Sequence, residues 1–175
     1  MEIKFWLNGK KIQEEIQPDM LLLDLLRAKG CYSVKRGCET ANCGLCTVLL
    51  EEKPVLSCSF LAARADGKHV VTLEGMQKEA EEIGGFLAKQ GAEQCGFCNP
   101  GFLMNIFAML KELENPTEAE INEYLAGNLC RCSGFMGQTR SILNYLEYKK
   151  KQKRGKIRNE ICKHIGRKKR MPWPL

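Results

Sequence analysis

The sequence predicts an α+β protein in two parts, a small β-grasp half followed by an all-helical half. Three observations carry that prediction. Apolar residues alternate with period two over residues 2–15, on both sides of an Asn-Gly dipeptide. After Gly75 the apolar period becomes helical, and no internal repeat links the two parts. Eight of the ten cysteines fall into two quartets, one in each part.

Residues 2–7 (EIKFWL) and 10–16 (KKIQEEI) flank Asn8-Gly9 and read as a strand, a tight hairpin turn and a strand. Pro18-Asp19 punctuates, with Asp19 as the expected cap of the helix MLLLDLLRAKG, which Gly30 ends. A cysteine loop over 37–46 leads directly into a strand, Thr47-Val48-Leu49-Leu50. Glu51 to Pro54 turn the chain, VLSCSF reads as a strand carrying Cys58, and HVVTLEGM (69–76) reads as the last strand. Residues 77–90 and 100–113 have helical spacing, with Pro100 acceptable in a first turn. Thr117 followed by Glu120 is a capping-box pattern for a helix running to about Leu125, and a further helix is expected over about 136–150. The expected units are residues 1–76, residues 77–148 as a small helical bundle, and a basic, flexible tail over 149–175.

A chain of 175 residues makes one ordinary domain or two small ones, and small domains gain from a metal staple. It opens on charged residues without an apolar run before a small-residue cleavage site, so no signal peptide is expected. No apolar stretch approaches the ~18 residues of a membrane span. A soluble, cytoplasmic protein is therefore expected, in a compartment where cysteine quartets bind metal more often than they form disulfides. The net charge of +6 is unevenly spread. Residues 149–175 hold 12 Lys/Arg and one acid, Glu160, which leaves the body with 15 Lys/Arg against 20 acids. A mildly acidic body argues against a nucleic-acid binder.

The first quartet, Cys38, Cys43, Cys46 and Cys58, reads C-x4-C-x2-C-x11-C. Three cysteines within nine residues can converge only on a tightly wrapped loop, and Gly37 and Gly44 supply the backbone freedom. The spacing is that of plant-type ferredoxins, in which four thiolates hold one 2Fe–2S cluster. The second quartet, Cys95, Cys98, Cys130 and Cys132, reads C-x2-C-x31-C-x-C. By spacing alone it fits a 2Fe–2S cluster or a pair of zinc knuckles.

The surrounding residues carry a resemblance. GCETANCGLCTV (37–48) and TLEGM (72–76) resemble the ferredoxin part of the molybdenum hydroxylases, the xanthine dehydrogenase and aldehyde oxidoreductase family. QCGFCNPGF (94–102) with GNLCRCSGF (127–135) is similar to that family's signature for a second 2Fe–2S cluster in a four-helix domain. The resemblance covers residues 1 to about 148 and implies a small iron–sulfur subunit carrying two 2Fe–2S clusters. It implies a molybdopterin-binding large subunit as partner and an FAD-binding medium subunit as usual electron acceptor. Electrons would enter at Cys95, Cys98, Cys130 and Cys132, with Gln94 and Cys132 beside the pterin, and leave through Cys38, Cys43, Cys46 and Cys58. No substrate chemistry is expected of this chain itself. A free-standing two-cluster ferredoxin and a zinc-stabilised interaction module with a basic tail are the alternatives.

The sequence departs from the family pattern at Ala41, where Gly is usual, and at Leu45, where a small residue is usual. Ser133-Gly134-Phe135 replaces Thr-Gly-Tyr, and Gln138 stands where Ile is common. None of these removes a ligand. Cys31 reads as a small half-buried side chain and Cys162 as a tail thiol, while His69 and His164 lack ligand spacing.

Overall fold

The computed structural model of the chain describes residues 1–168, the side chains of Lys153 and of residues 155–168 excepted. Strands β1 (Glu2–Leu7) and β2 (Lys10–Glu15) pair antiparallel across Asn8-Gly9, where both residues have positive φ as a tight hairpin turn requires. Ile3, Phe5 and Leu7 point inward at period two. Helix α1 (Leu22–Ala28) lays Leu22, Leu23, Leu25 and Leu26 on that core. It stops at Gly30, φ 85°, where the Cys31 amide reaches back to the Leu26 carbonyl. Asp19 does not cap this helix. Leu21 occupies the cap position without a side-chain bond and instead bridges Leu61, so the helix entry is fixed by strand-like pairing.

Strands β3 (Thr47–Leu50), β4 (Lys53–Leu56) and β5 (His69–Val71) complete a mixed sheet in the order β2-β1-β5-β3-β4, with β1 and β5 parallel. Two expected strands are shorter than their sequence pattern. β4 ends at Leu56, and Cys58 lies on a 3-10 turn over Ser57–Ser59; β5 ends at Val71, before a second such turn over Leu73–Gly75. At the first turn the Ser57 amide and hydroxyl both donate to the Cys46 backbone carbonyl, and at the second the Thr72 amide donates to the Asn8 side-chain oxygen.

Helices α2 (Gln77–Lys89), α3 (Asn99–Glu112), α4 (Glu118–Leu125) and α5 (Met136–Lys168) surround a second core built on Ile83, Leu87, Met104, Ile106, Met109, Ile121 and Ile142. The capping box forms: the Glu120 amide donates to Thr117 Oγ1 at 3.3 Å and the Thr117 amide to the Glu120 carboxylate at 2.7 Å, worth about 1 kcal/mol. The last helix is longer than expected. The segment 149–175, read as a flexible tail, continues α5 as far as Lys168, and residues 169–175 lie outside the described residues. Its Lys, Arg and Gln are good helix formers, and no proline falls between Thr117 and Lys168. The chain is thus α+β. Strand β3 is buried on both sides, with Val48 and Leu50 in the first core and Leu49 in the second. This places the loop before β3 against the N-terminal end of α3.

Candidate metal centres

The first cysteine loop needs two left-handed residues to close. Gly44 has φ 73° and Ala41 φ 52°. A Cβ at Gly37 would stand 2.6 Å from Leu45 Cδ2 and 3.2 Å from Cys43 Sγ, so the position leaves room for both side chains. The loop then aims amides at sulfur: Asn42 N–H donates to Cys38 Sγ at 3.4 Å. The amides of Asn42, Thr40 and Cys43, with the Cys43 thiol, hold the Cys38 thiol down to about 6. Burial, and then the proximity of Cys38, pushes Cys43 up. Cys58 arrives from the turn after β4, which is tied down by the Ser57 amide and hydroxyl donating to the Cys46 carbonyl at 3.3 and 2.7 Å. Burial, and then the Cys46 sulfur, pushes Cys58 up to about 12.

The second quartet assembles from two loops, 94–98 and 127–135, each leading into a helix. Cys98 is the residue before α3, and the C-x-C loop ends at the first turn of α5, so two helix N-termini favour negative charge there. The Cys132 thiol donates to Cys95 Sγ at 3.6 Å. The Phe97 amide, and then Cys132, holds Cys95 down, while the bond to Cys95 raises Cys132. Burial, and then Cys130, pushes Cys98 up to about 12. Burial alone would raise Cys130, but the hydroxyl and amide of Ser133 at 3.1 and 3.4 Å overcome it and bring Cys130 to about 7.

Among the described residues, no three Cys, His, Asp or Glu side chains gather round a single ion-sized point. The thiols of each quartet neighbour one another instead: Cys132 bonds to Cys95 at 3.6 Å, Cys38 and Cys46 act on Cys43 and Cys58, and Cys130 acts on Cys98. Amide and hydroxyl donors hold Cys38, Cys95 and Cys130 below the ordinary thiol range, while burial or a neighbouring sulfur holds Cys43, Cys132 and Cys98 above it. A 2Fe–2S cluster asks for two thiolates per iron, so this donor set fits one cluster in each quartet.

The two loops touch. The Leu129 amide, beside Cys130, donates to the Cys43 carbonyl at 2.9 Å. Asn128 Nδ2 donates to the Gly44 carbonyl at 3.2 Å, and Asn105 donates to the Asn128 side-chain oxygen. A Cβ on Gly44 would stand 2.5 Å from the Gly127 carbonyl, and one on Gly101 would fall on the Gly44 carbonyl. The sequence pattern gives Gly44 only its backbone freedom, and gives Gly101, Asn105, Gly127 and Asn128 no role. The available signal was three glycines and an Asn flanking ligand cysteines in both loops.

Gln94 Nε2 donates to the Cys132 carbonyl at 2.9 Å. Cys95 and Cys132 are exposed, whereas Cys43 and Cys46 are buried. Phe97, Leu129, Phe135 and Met136 lie exposed in or next to the two loops of the second quartet. Cys31 is buried among leucines, and burial raises its thiol. His69 stacks on Trp6 at 4.7 Å and pairs with Glu51.

Residues 5–88 match the 2Fe-2S iron-sulfur cluster binding domain, and residues 72–143 match the [2Fe-2S] binding domain. The xanthine dehydrogenase iron-sulfur-binding subunit of Escherichia coli O157:H7 is 44% identical over 146 residues, spanning 81% of this chain and 92% of that protein. The nicotinate dehydrogenase small FeS subunit of Eubacterium barkeri is 40% identical over 133 residues, 74% of this chain and 85% of that protein. Among solved structures, quinoline 2-oxidoreductase from Pseudomonas putida 86 superposes with a TM-score of 0.76 at 36% identity, over 81% of this chain and 90% of that one. The aldehyde oxidoreductase of Desulfovibrio desulfuricans ATCC 27774 gives a TM-score of 0.76 at 32% identity, over 82% of this chain but 17% of that one. The two domain matches together span residues 5–143 in order, and the chain belongs to the iron–sulfur subunits of the molybdenum hydroxylase, or xanthine dehydrogenase, family.

Proposed function

We propose that this chain relays single electrons from a molybdopterin-bearing large subunit through two 2Fe–2S clusters to an FAD-bearing subunit. Cys95, Cys98, Cys130 and Cys132 hold the entry cluster, in an all-α four-helix unit over 77–148. Cys38, Cys43, Cys46 and Cys58 hold the exit cluster, in a β-grasp ferredoxin unit over 1–76. The observation that carries the reading is that the two cysteine loops, one holding the Cys95–Cys132 contact at 3.6 Å and the other Cys38, Cys43 and Cys46, are joined by a direct hydrogen bond from the Leu129 amide to the Cys43 carbonyl. When bound, the clusters supply one-electron redox chemistry. The chain supplies thiolates, amide donors that tune them, and fixed spacing.

The direction follows from exposure. Gln94 and the exposed Cys95/Cys132 pair face outward among Phe97, Leu129, Phe135 and Met136, an apolar surface suited to a partner protein. We assign that surface to the large subunit, with Gln94 and Cys132 next to its pterin. Among the described residues no helix is long and apolar enough to cross a membrane, and we place the complex in the cytoplasm.

Metal analysis of the purified chain tests the reading. About four irons and about four acid-labile sulfides per chain are expected; zinc without sulfide overturns it. Co-purification with a molybdopterin-bearing subunit is the second expectation, and a chain that carries both clusters yet binds no such subunit is a free-standing ferredoxin.

A further inference from the structure

We propose that Asn128 is a positioning residue that holds the two cluster loops together, so that the hydrogen bond from the Leu129 amide to the Cys43 carbonyl serves as the electron route between them. The inference rests on the two-cluster reading above. Asn128 is only 2% exposed. Its Nδ2 donates to the Gly44 carbonyl of the first loop, and its side-chain oxygen accepts from Asn105 on α3. One amide therefore links three elements: the first loop, the second loop and the helix that follows Cys98. Its neighbours on both sides are committed to the same contact. Gly127 abuts Gly44, and Leu129 donates to Cys43.

The placement matters because both residues next to the bridging bond are ligands. Cys43 contributes its own carbonyl, and Leu129 is bonded to Cys130. From sulfur to sulfur the route crosses backbone and one hydrogen bond, with no gap through space. One electron leaves the Cys130 side and arrives on the Cys43 side; no bond forms or breaks and no proton is moved. The Gly44 carbonyl is further pinned by the Thr47 hydroxyl at 2.7 Å and amide at 3.3 Å, so the first loop offers Asn128 a rigid acceptor. Without Asn128 the loops keep their own thiols but lose the clamp that holds them in register.

The test uses the cluster-loaded full chain and Asn128→Ala. Iron and sulfide content is expected to stay at the wild-type level. Magnetic splitting between the two reduced clusters, read by electron paramagnetic resonance, is expected to collapse. Electron passage from the second cluster to the first, after rapid partial reduction, is expected to slow by roughly tenfold or more. Hydrogen exchange in the peptide spanning 126–132 is expected to accelerate by roughly ten- to a hundredfold, as the Leu129 amide loses its protection. A purely structural role would lower the melting temperature and leave splitting and transfer rate at wild-type values, and that result overturns the inference. Asn105→Ala keeps the test decisive should Asn128→Ala fail to take up clusters. It frees the Asn128 amide without removing it and is expected to weaken splitting and rate in the same direction; wild-type values for both overturn the proposal. A wild-type chain without iron and sulfide would instead overturn the two-cluster reading itself.

Discussion

Ala41 occupies a left-handed backbone position, φ 52°, inside the loop that carries Cys38, Cys43 and Cys46. An L side chain there presses its Cβ on the following carbonyl, a strain that glycine lacks. Ala41→Gly is therefore expected to stabilise the folded chain by about 1 kcal/mol, read as a higher urea midpoint; an unchanged or lower midpoint would show that the loop gains something from the methyl group. Gln138 is a second local departure with a physical cost. It is 1% exposed, and among the described residues neither amide atom has a hydrogen-bond partner. Replacing both unpaired groups with hydrocarbon of similar size removes a desolvation penalty. Gln138→Leu is expected to gain roughly 1–3 kcal/mol, a rise in melting temperature of about 2–4 °C per kcal/mol. Both sites were visible in the sequence as deviations from a family pattern. Their cost became visible only with the backbone angle in one case and the burial in the other.

At the scale of elements, the last segment of the first half is held by side chains that no periodicity announces. Asn8, read from sequence only as a hairpin residue, also accepts from the Thr72 amide at 2.9 Å and donates to the Thr72 hydroxyl at 3.0 Å. Glu74 then accepts from the Ser33 amide at 2.8 Å, the Ser33 hydroxyl at 2.6 Å and the Thr72 hydroxyl at 2.6 Å. Partial burial by itself would raise the Glu74 carboxyl, but these donors outweigh it and hold the group below its ordinary value of 4.5. A lowered folded-state pKa gives stability that is fully present above the unfolded value and is lost as pH falls through the folded one. Glu74→Gln should thus cost about 1–2 kcal/mol at neutral pH, and the gap from wild type should close as pH falls below 4.5. A gap that stays constant across that window would mean the charge is immaterial. These contacts join residues far apart in sequence, which is why the pattern that correctly read the hairpin, the capping box at Thr117 and the cysteine loops could not show them. The same limit explains α1, whose start is set by Leu21 pairing with Leu61 rather than by Asp19, and the strand that stops short of Cys58.

For the whole molecule, the sheet is the partition between two cores, and β3 belongs to both. Val48 and Leu50 enter the first core beside Phe5 and Leu26, while Leu49, one residue between them, packs with Phe102, Ile106 and Met109 of the second. Sequence period two could assign Leu49 to the opposite face, but a solvent-facing leucine and one covered by α3 read alike until the helix is placed. The consequence is mechanical coupling. Each half is too small to be robust alone, and each cluster loop borders the shared strand or the helix that covers it. The two halves are accordingly expected to unfold together: the loss of helical circular dichroism and the bleaching of cluster absorbance should share one midpoint. Leu49→Ala deletes buried methyl groups exactly at the partition and is expected to cost about 2–5 kcal/mol. Because it weakens the tie between the cores more than either core, it should also pull the two midpoints apart, with the helical half melting first. Coincident but lowered midpoints in Leu49→Ala would show that the tie is made elsewhere, with the contact of Gly44 against Gly101 and Gly127 as the remaining place for it.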